Sequence, residues 1–184
     1  MFDSVELLTG RGIPLLPLAQ PANNFMHPKG RFHVEHYNKD GKLLGTYDFP
    51  NGITNEGKDF YLDVMFSDVS AIPSTGWYIG LIDTGASLDP TDLMNSHAGW
   101  TEFNDYSDTE RQDWGPGAAS SQSITNATPA TFNIDATGTV YGVFIVTVDT
   151  IDGTTGVLWA TAAFSSEVPV SNGDQLKVTY TTSA

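Results

Sequence analysis

The stretch from Gly80 to Ser87, GLIDTGAS, is the strongest catalytic spelling in the chain. Asp-Thr-Gly after an apolar strand is how acid proteases present an active-site carboxylate: two such aspartates share one proton and activate a water. A second Asp must then come from another copy or another lobe. At 184 residues a single-lobed homodimer fits and a two-lobed enzyme does not. The continuation argues against both. SLDPTDLMNSHAG, with Pro90 and a polar run, reads as a surface loop, and Asp135-Ala136-Thr137-Gly138 reads as a hairpin connection. Asp83-Thr84-Gly85 is therefore expected to be a strand end and turn, a chance match in a chain that is not an enzyme.

Other chemical groups are more scattered. His27, His33, His36 and His97 are the candidate ligands, but His33 and His36 sit three apart on an expected strand and so point to opposite faces, which is poor geometry for one metal. The acidic stretch Glu102, Asp105, Asp108, Glu110 and Asp113 has carboxylates enough for calcium but lacks the glycine of an ordered binding loop, and a solvated acidic loop is the plainer reading. Trp100, Tyr106 and Trp114 flank it. Exposed, they would stack on sugar rings; buried, they would be core or interface residues. No phosphate loop, Gly-x-Ser-x-Gly or zinc-helix motif occurs, and neither metal nor cofactor is expected.

The elements that must hold these groups are mostly strands. FHVEHY and KLLGTYDF alternate around Asn38-Lys39-Asp40-Gly41, a hairpin signal with Gly41 supplying the positive φ. WYIGLI (77–82), GWTEF (99–103), ATFNI (130–134), TVYGVFIVTV (139–148), GVLWATAAF (156–164) and QLKVTYT (175–181) follow, separated by turns such as Asp152-Gly153 and Ser171-Asn172-Gly173-Asp174. Short strands at this spacing indicate an all-β sandwich or barrel. TVYGVFIVTV and GVLWATAAF are expected to be central, with Phe144, Val146, Leu158 and Phe164 in the core. One helix is expected in TNEGKDFYLDVMF, capped by Thr54 or Asn55, where Tyr61, Leu62, Met65 and Phe66 recur at three- and four-residue intervals.

Residues 1–30 differ from the rest. Pro14, Pro17, Pro21 and Pro28 deny this segment a helix or a central strand. An extended, polyproline-like arm is the natural reading and a disordered leader the alternative, with the β-domain spanning 31–184. Ile13, Leu15, Leu16 and Leu18 would then bury in a groove of the body or on a partner's surface.

Composition narrows the partners. Twenty-two acidic side chains against 8 basic ones give a net charge of −14. Nucleic acid and anionic lipid are disfavoured, since phosphate binding needs clustered Lys and Arg. The absence of cysteine fits a reducing compartment, and no apolar run is long enough to span a membrane, so the expectation is a soluble protein.

The order of the motifs adds a resemblance. NGITNEGKDFYLDVMF (51–66), WYIGLI (77–82) and HAGWTEFNDY (97–106) resemble a family of tailed-phage structural proteins, as do SSQSITNATPATFNI, GTVYGVFIV, GVLWATAAFSS and VSNGDQLKVTY after them. Together they cover most of the chain from about residue 31. The family is that of capsid decoration, or cement, proteins. The resemblance implies a jelly-roll-like β-sandwich on the outer surface of a phage head, made in the bacterial cytoplasm and bound to the major capsid protein. It is expected to be a homo-oligomer, a trimer before a dimer. Ile13, Leu15, Leu16 and Leu18 become capsid-docking candidates on physical grounds, since the arm matches no motif of the family. A receptor- or glycan-binding module of a tail fibre or spike is the alternative.

Overall fold

A computed structural model describes residues 28–84 and 87–184. The arm residues Ile13, Leu15, Leu16 and Leu18 lie outside the described residues, as does Gly85. Ten strands and one helix follow in chain order: β1 (Lys29–Tyr37), β2 (Leu43–Ile53), α1 (Asn55–Phe66), β3 (Tyr78–Ile82), β4 (Glu102–Phe103), β5 (Gln112–Asp113), β6 (Ser123–Thr125), β7 (Ala130–Asn133), β8 (Gly138–Val146), β9 (Leu158–Val170) and β10 (Gln175–Ser183). The fold is all-β and sandwich-like.

All strand pairs are antiparallel, along the path β4-β3-β8-β9-β2-β1-β10-β6, with β5 also pairing β3 and β7 also pairing β10. β2 belongs to both halves: its early residues pair β1, and Gly52 and Ile53 pair Thr161 and Ala160 of β9. From opposite ends of this path, β5 and β7 come into contact, so the sheet curls back over its own apolar face.

The main core fills that curl. Phe32 and Val34 of β1, Ile79 and Leu81 of β3, Val143 and Ile145 of β8, and Leu176, Val178 and Tyr180 of β10 are buried in it. A smaller cluster lies on the other side of the β3–β8–β9 half, where Ile82, Phe144, Val146 and Leu158 meet Met94 and Trp100 from the loop after β3. β8 is thus buried on both faces. That is why GVFIV reads as a continuous apolar run rather than an alternation. Phe144, Val146, Leu158 and Phe164 are all buried, and β8 and β9 are central as expected.

Local chemistry sets the connections. Asn38 Oδ1 accepts the amides of Asp40 and Lys42, and Gly41 takes φ +75° to close the β1–β2 hairpin. Thr54 caps α1, accepting the Gly57 amide at 2.9 Å, while its hydroxyl donates to Leu158 O and its amide to Trp159 O. At Gly57 a Cβ would sit 2.6 Å from Trp159 O, so α1 lies against β9 at a distance only glycine permits. Three features depart from the sequence reading. GWTEF is strand only at Glu102–Phe103, β5 and β6 were not foreseen, and β9 runs on through SSEVPV. Among the described residues no helix is long and apolar enough to cross a membrane.

Candidate functional site

Asp83 follows the last residue of β3. Its amide donates to Thr101 O at 2.9 Å, and the Thr84 and Thr101 hydroxyls lie 2.6 Å apart, so this end of the strand is tied to the segment leading into β4. Burial pushes the Asp83 carboxyl up from the usual range, with a smaller push from the Asp105 charge. No hydrogen bond joins the two carboxyls among the described residues. Asp135 opens the β7–β8 connection; its amide donates to Asp105 O, and its carbonyl accepts from Asn172.

The histidines go to separate tasks. His33 and Arg31 both meet Asp48 at 3.0 Å on the exposed side of β1. Those contacts hold the Asp48 carboxyl below its ordinary range, the His33 hydrogen bond foremost. His36, on the opposite face, is buried against Asp174 at 2.9 Å, and the same carboxylate oxygen accepts the Ser171 amide. His97 stacks on Trp100 with ring centres 3.9 Å apart. His27 lies outside the described residues. Among the described residues no group of three or more His, Asp or Glu is placed to hold a metal ion.

The acidic stretch has a buried anchor that sequence reasoning missed. Glu102 is taken by Arg111 in a two-pronged pair: Nε donates to Oε1 and Nη2 to Oε2, both at 2.8 Å, with both side chains buried. Arg111 also donates to Val148 O and Gly153 O, the Asp152 amide donates to Glu102 Oε2, and the guanidinium lies 5.2 Å from the Phe144 ring centre. This network binds the β4–β5 loop to the β8–β9 loop. Asp105, Asp108, Glu110 and Asp113 are exposed.

Trp100, Tyr106 and Trp114 are buried, at 3%, 3% and 6% exposure, which counts against sugar stacking. The Trp100 indole N–H donates to Asp92 at 3.0 Å, and its ring lies between His97 and Phe144. Tyr106 meets Phe132 edge-on. Trp114 donates to Tyr180 O and packs edge-on against Tyr180 and Trp77.

The aromatic rings that reach the surface are others. Trp77 and Trp159, both half-buried, meet edge-on with centres 5.9 Å apart, and Phe60 of α1 abuts Trp77. Trp77 and Trp159, with Trp114, Ile72 and Ile124, line a groove of about 710 Å³. No family model and no curated protein matches the chain. The groove therefore has to be read from its own chemistry. Its volume falls within the roughly 300–1,000 Å³ typical of ligand clefts. No charged side chain lines it, in a chain of net charge −14. It suits an uncharged apolar occupant with some aromatic-stacking capacity.

A second surface feature is α1 itself. Leu62, Met65 and Phe66 are exposed, Phe66 at 79%, and Val69 follows them. The face carrying these side chains points away from the sheet, while Gly57 and Phe60 make the inward contacts.

Proposed function

We propose that this chain is a decoration protein of a tailed-phage head, which binds the outer face of the shell and ties neighbouring capsid subunits together. The observation carrying the reading is the outward apolar face of α1, with Leu62, Met65 and Phe66 exposed and Val69 exposed just beyond the helix, on a strongly acidic chain. Contiguous exposed apolar surface marks a contact site. This surface belongs to NGITNEGKDFYLDVMF and its immediate continuation, and that motif is the first in the series resembling decoration proteins. The order of those motifs within one sandwich-like body supports the same reading.

The mechanism is stabilisation by binding. Each copy adds buried area across joints between capsid subunits, on the order of 800 Å² per partner for a standard interface. Presentation on an oligomer, a trimer at quasi-three-fold positions before a dimer at two-folds, multiplies the effect through avidity. The remaining acidic surface keeps decorated particles apart.

Co-sedimentation with undecorated heads tests the proposal. The wild-type chain should pellet with heads, and Met65→Asp combined with Phe66→Asp should leave most of it in the supernatant. Equal pelleting of the two would remove α1 as the contact. A wild-type chain that ignores heads but is found on tails in a virion map would select the second reading, a receptor- or glycan-binding module. The indoles of Trp77 and Trp159 in the groove favour that reading more than the buried Trp100, Tyr106 and Trp114 do.

A further inference from the structure

We infer that the groove walled by Trp77, Trp114 and Trp159 is the receptacle for residues 13–18 of the same chain. Ile13-Pro14-Leu15-Leu16-Pro17-Leu18 contains a Pro-x-x-P spacing, the pattern that presents apolar side chains on a preformed polyproline helix to an aromatic-lined groove. The groove has that lining. The inference rests on the groove and this spelling, and stands apart from the decoration reading.

Three observations select this occupant. The first is position. Pro28, where the described chain begins, is itself part of the groove wall, so the arm departs from the groove's own edge. Nine residues lie between Leu18 and that point, a reach of up to about 33 Å when extended, which is ample to fold back. Such a short tether gives an effective concentration on the order of millimolar, favouring the chain's own arm over another copy's.

The second is charge. Ile13 to Pro21 contains no side chain charged at neutral pH, and neither does the groove lining, although the chain as a whole is densely acidic. A partner surface recognised by charge would find nothing to read here.

The third is hydrogen bonding. A polyproline helix has no internal hydrogen bonds, so its carbonyls seek outside donors. The Trp114 and Trp159 indole N–H groups are already spent, on Tyr180 O and the Tyr180 hydroxyl. The Trp77 indole N–H makes no hydrogen bond to a described residue. On this assignment it serves a carbonyl of the docked segment.

The chain has no cysteine, which makes a single-site label clean. Ala19→Cys in the full-length protein would be labelled with benzophenone maleimide, irradiated as an equal mixture of light and isotopically heavy chains, and mapped by mass spectrometry. Adducts within one chain, on peptides containing Trp77, Ile124 or Trp159, are expected. Adducts joining light to heavy chains would show the arm in a second copy's groove and overturn the assignment, as would adducts elsewhere or none. In parallel, full-length Leu15→Asp/Leu16→Asp should show red-shifted tryptophan emission and stronger acrylamide quenching, as Trp77 and Trp159 gain water. Emission identical to wild type would overturn the inference.

Discussion

Replacing Arg111 with Met should be the most damaging single change in the acidic segment. The substitution keeps much of the apolar volume against Phe144 but removes every donor of the guanidinium. Glu102 then remains buried with one described partner, the Asp152 amide at 2.8 Å, and the Val148 and Gly153 carbonyls each lose a donor. Breaking a buried pair from one side costs about 3–5 kcal/mol, because the stranded charge keeps its full desolvation penalty. For a domain of this size each kcal/mol moves the midpoint by about 2–4 °C, so a drop of roughly 6–20 °C is expected. Adding Glu102→Gln tests the cause. Glutamine still accepts from the Asp152 amide but carries no charge, so the double variant should recover part of the loss. It should not recover all of it, since each orphaned carbonyl still costs about 1–3 kcal/mol if it stays buried. Urea and thermal unfolding of the single and double variants measure both numbers. If Arg111→Met cost under about 1 kcal/mol, as an exposed ion pair would, the pair is not the clamp described here. Equal stability of single and double variants would show that lost hydrogen bonds, not the charge, dominate.

Three further expectations follow from ionisable groups that are wholly or partly buried. Asp83 has a raised carboxyl pKa, so its proton favours the fold at acid pH and that contribution fades as pH rises through the folded value; Asp83→Asn should therefore leave neutral-pH stability unchanged or slightly higher, within about 0.5 kcal/mol in a melting experiment. Peptidase activity in the wild-type protein that this change abolished would overturn the strand-end reading. Burial pushes Tyr180 up to about 12 from 10, so its contribution is complete below pH 10 and lost on rising to about 12; the loss is about 3 kcal/mol, and Tyr180→Phe should flatten that alkaline limb in pH-dependent denaturation. The Tyr106 hydroxyl is buried and makes no hydrogen bond among the described residues, so Tyr106→Phe should match or exceed the wild-type midpoint, and a loss above about 1 kcal/mol would reveal a partner for it.

The strands were legible because their periodicity is strong and their turns are spelled out. Asn38 to Gly41 closes the first hairpin through the side-chain and glycine chemistry its letters announce, and GVFIV is apolar on both faces because both faces are covered. Short strands were not legible. β5 and β6 have two and three residues, too few to show a period, and of the expected strand GWTEF only Glu102–Phe103 pairs; all three exist because neighbouring strands offer unpaired edges. The Glu102–Arg111 pair was hidden for a related reason. Nine positions apart within a run of acidic residues, Glu102 looks like every other solvated carboxylate, and only the tertiary fold separates it from them.

Aromatics and helix faces show where the limit lies. Spacing told that Leu62, Met65 and Phe66 share a side of α1, but it could not tell which way that side points. An apolar stripe ordinarily turns inward. Here the direction is fixed by Gly57, whose missing Cβ lets the helix backbone approach Trp159, and by Phe60 against Trp77. Trp159 and Trp77 are occupied on that side by the helix and on another by each other, which leaves them at the groove instead of in the main core. One glycine contact thus has two consequences: it turns the apolar stripe of α1 toward solvent, and it holds two indoles where an uncharged segment can reach them. Gly57→Ala tests that coupling. Its Cβ would press on the Trp159 carbonyl, so the change should disturb α1 and the tryptophan emission together; an altered helix with unaltered emission would separate the two surfaces.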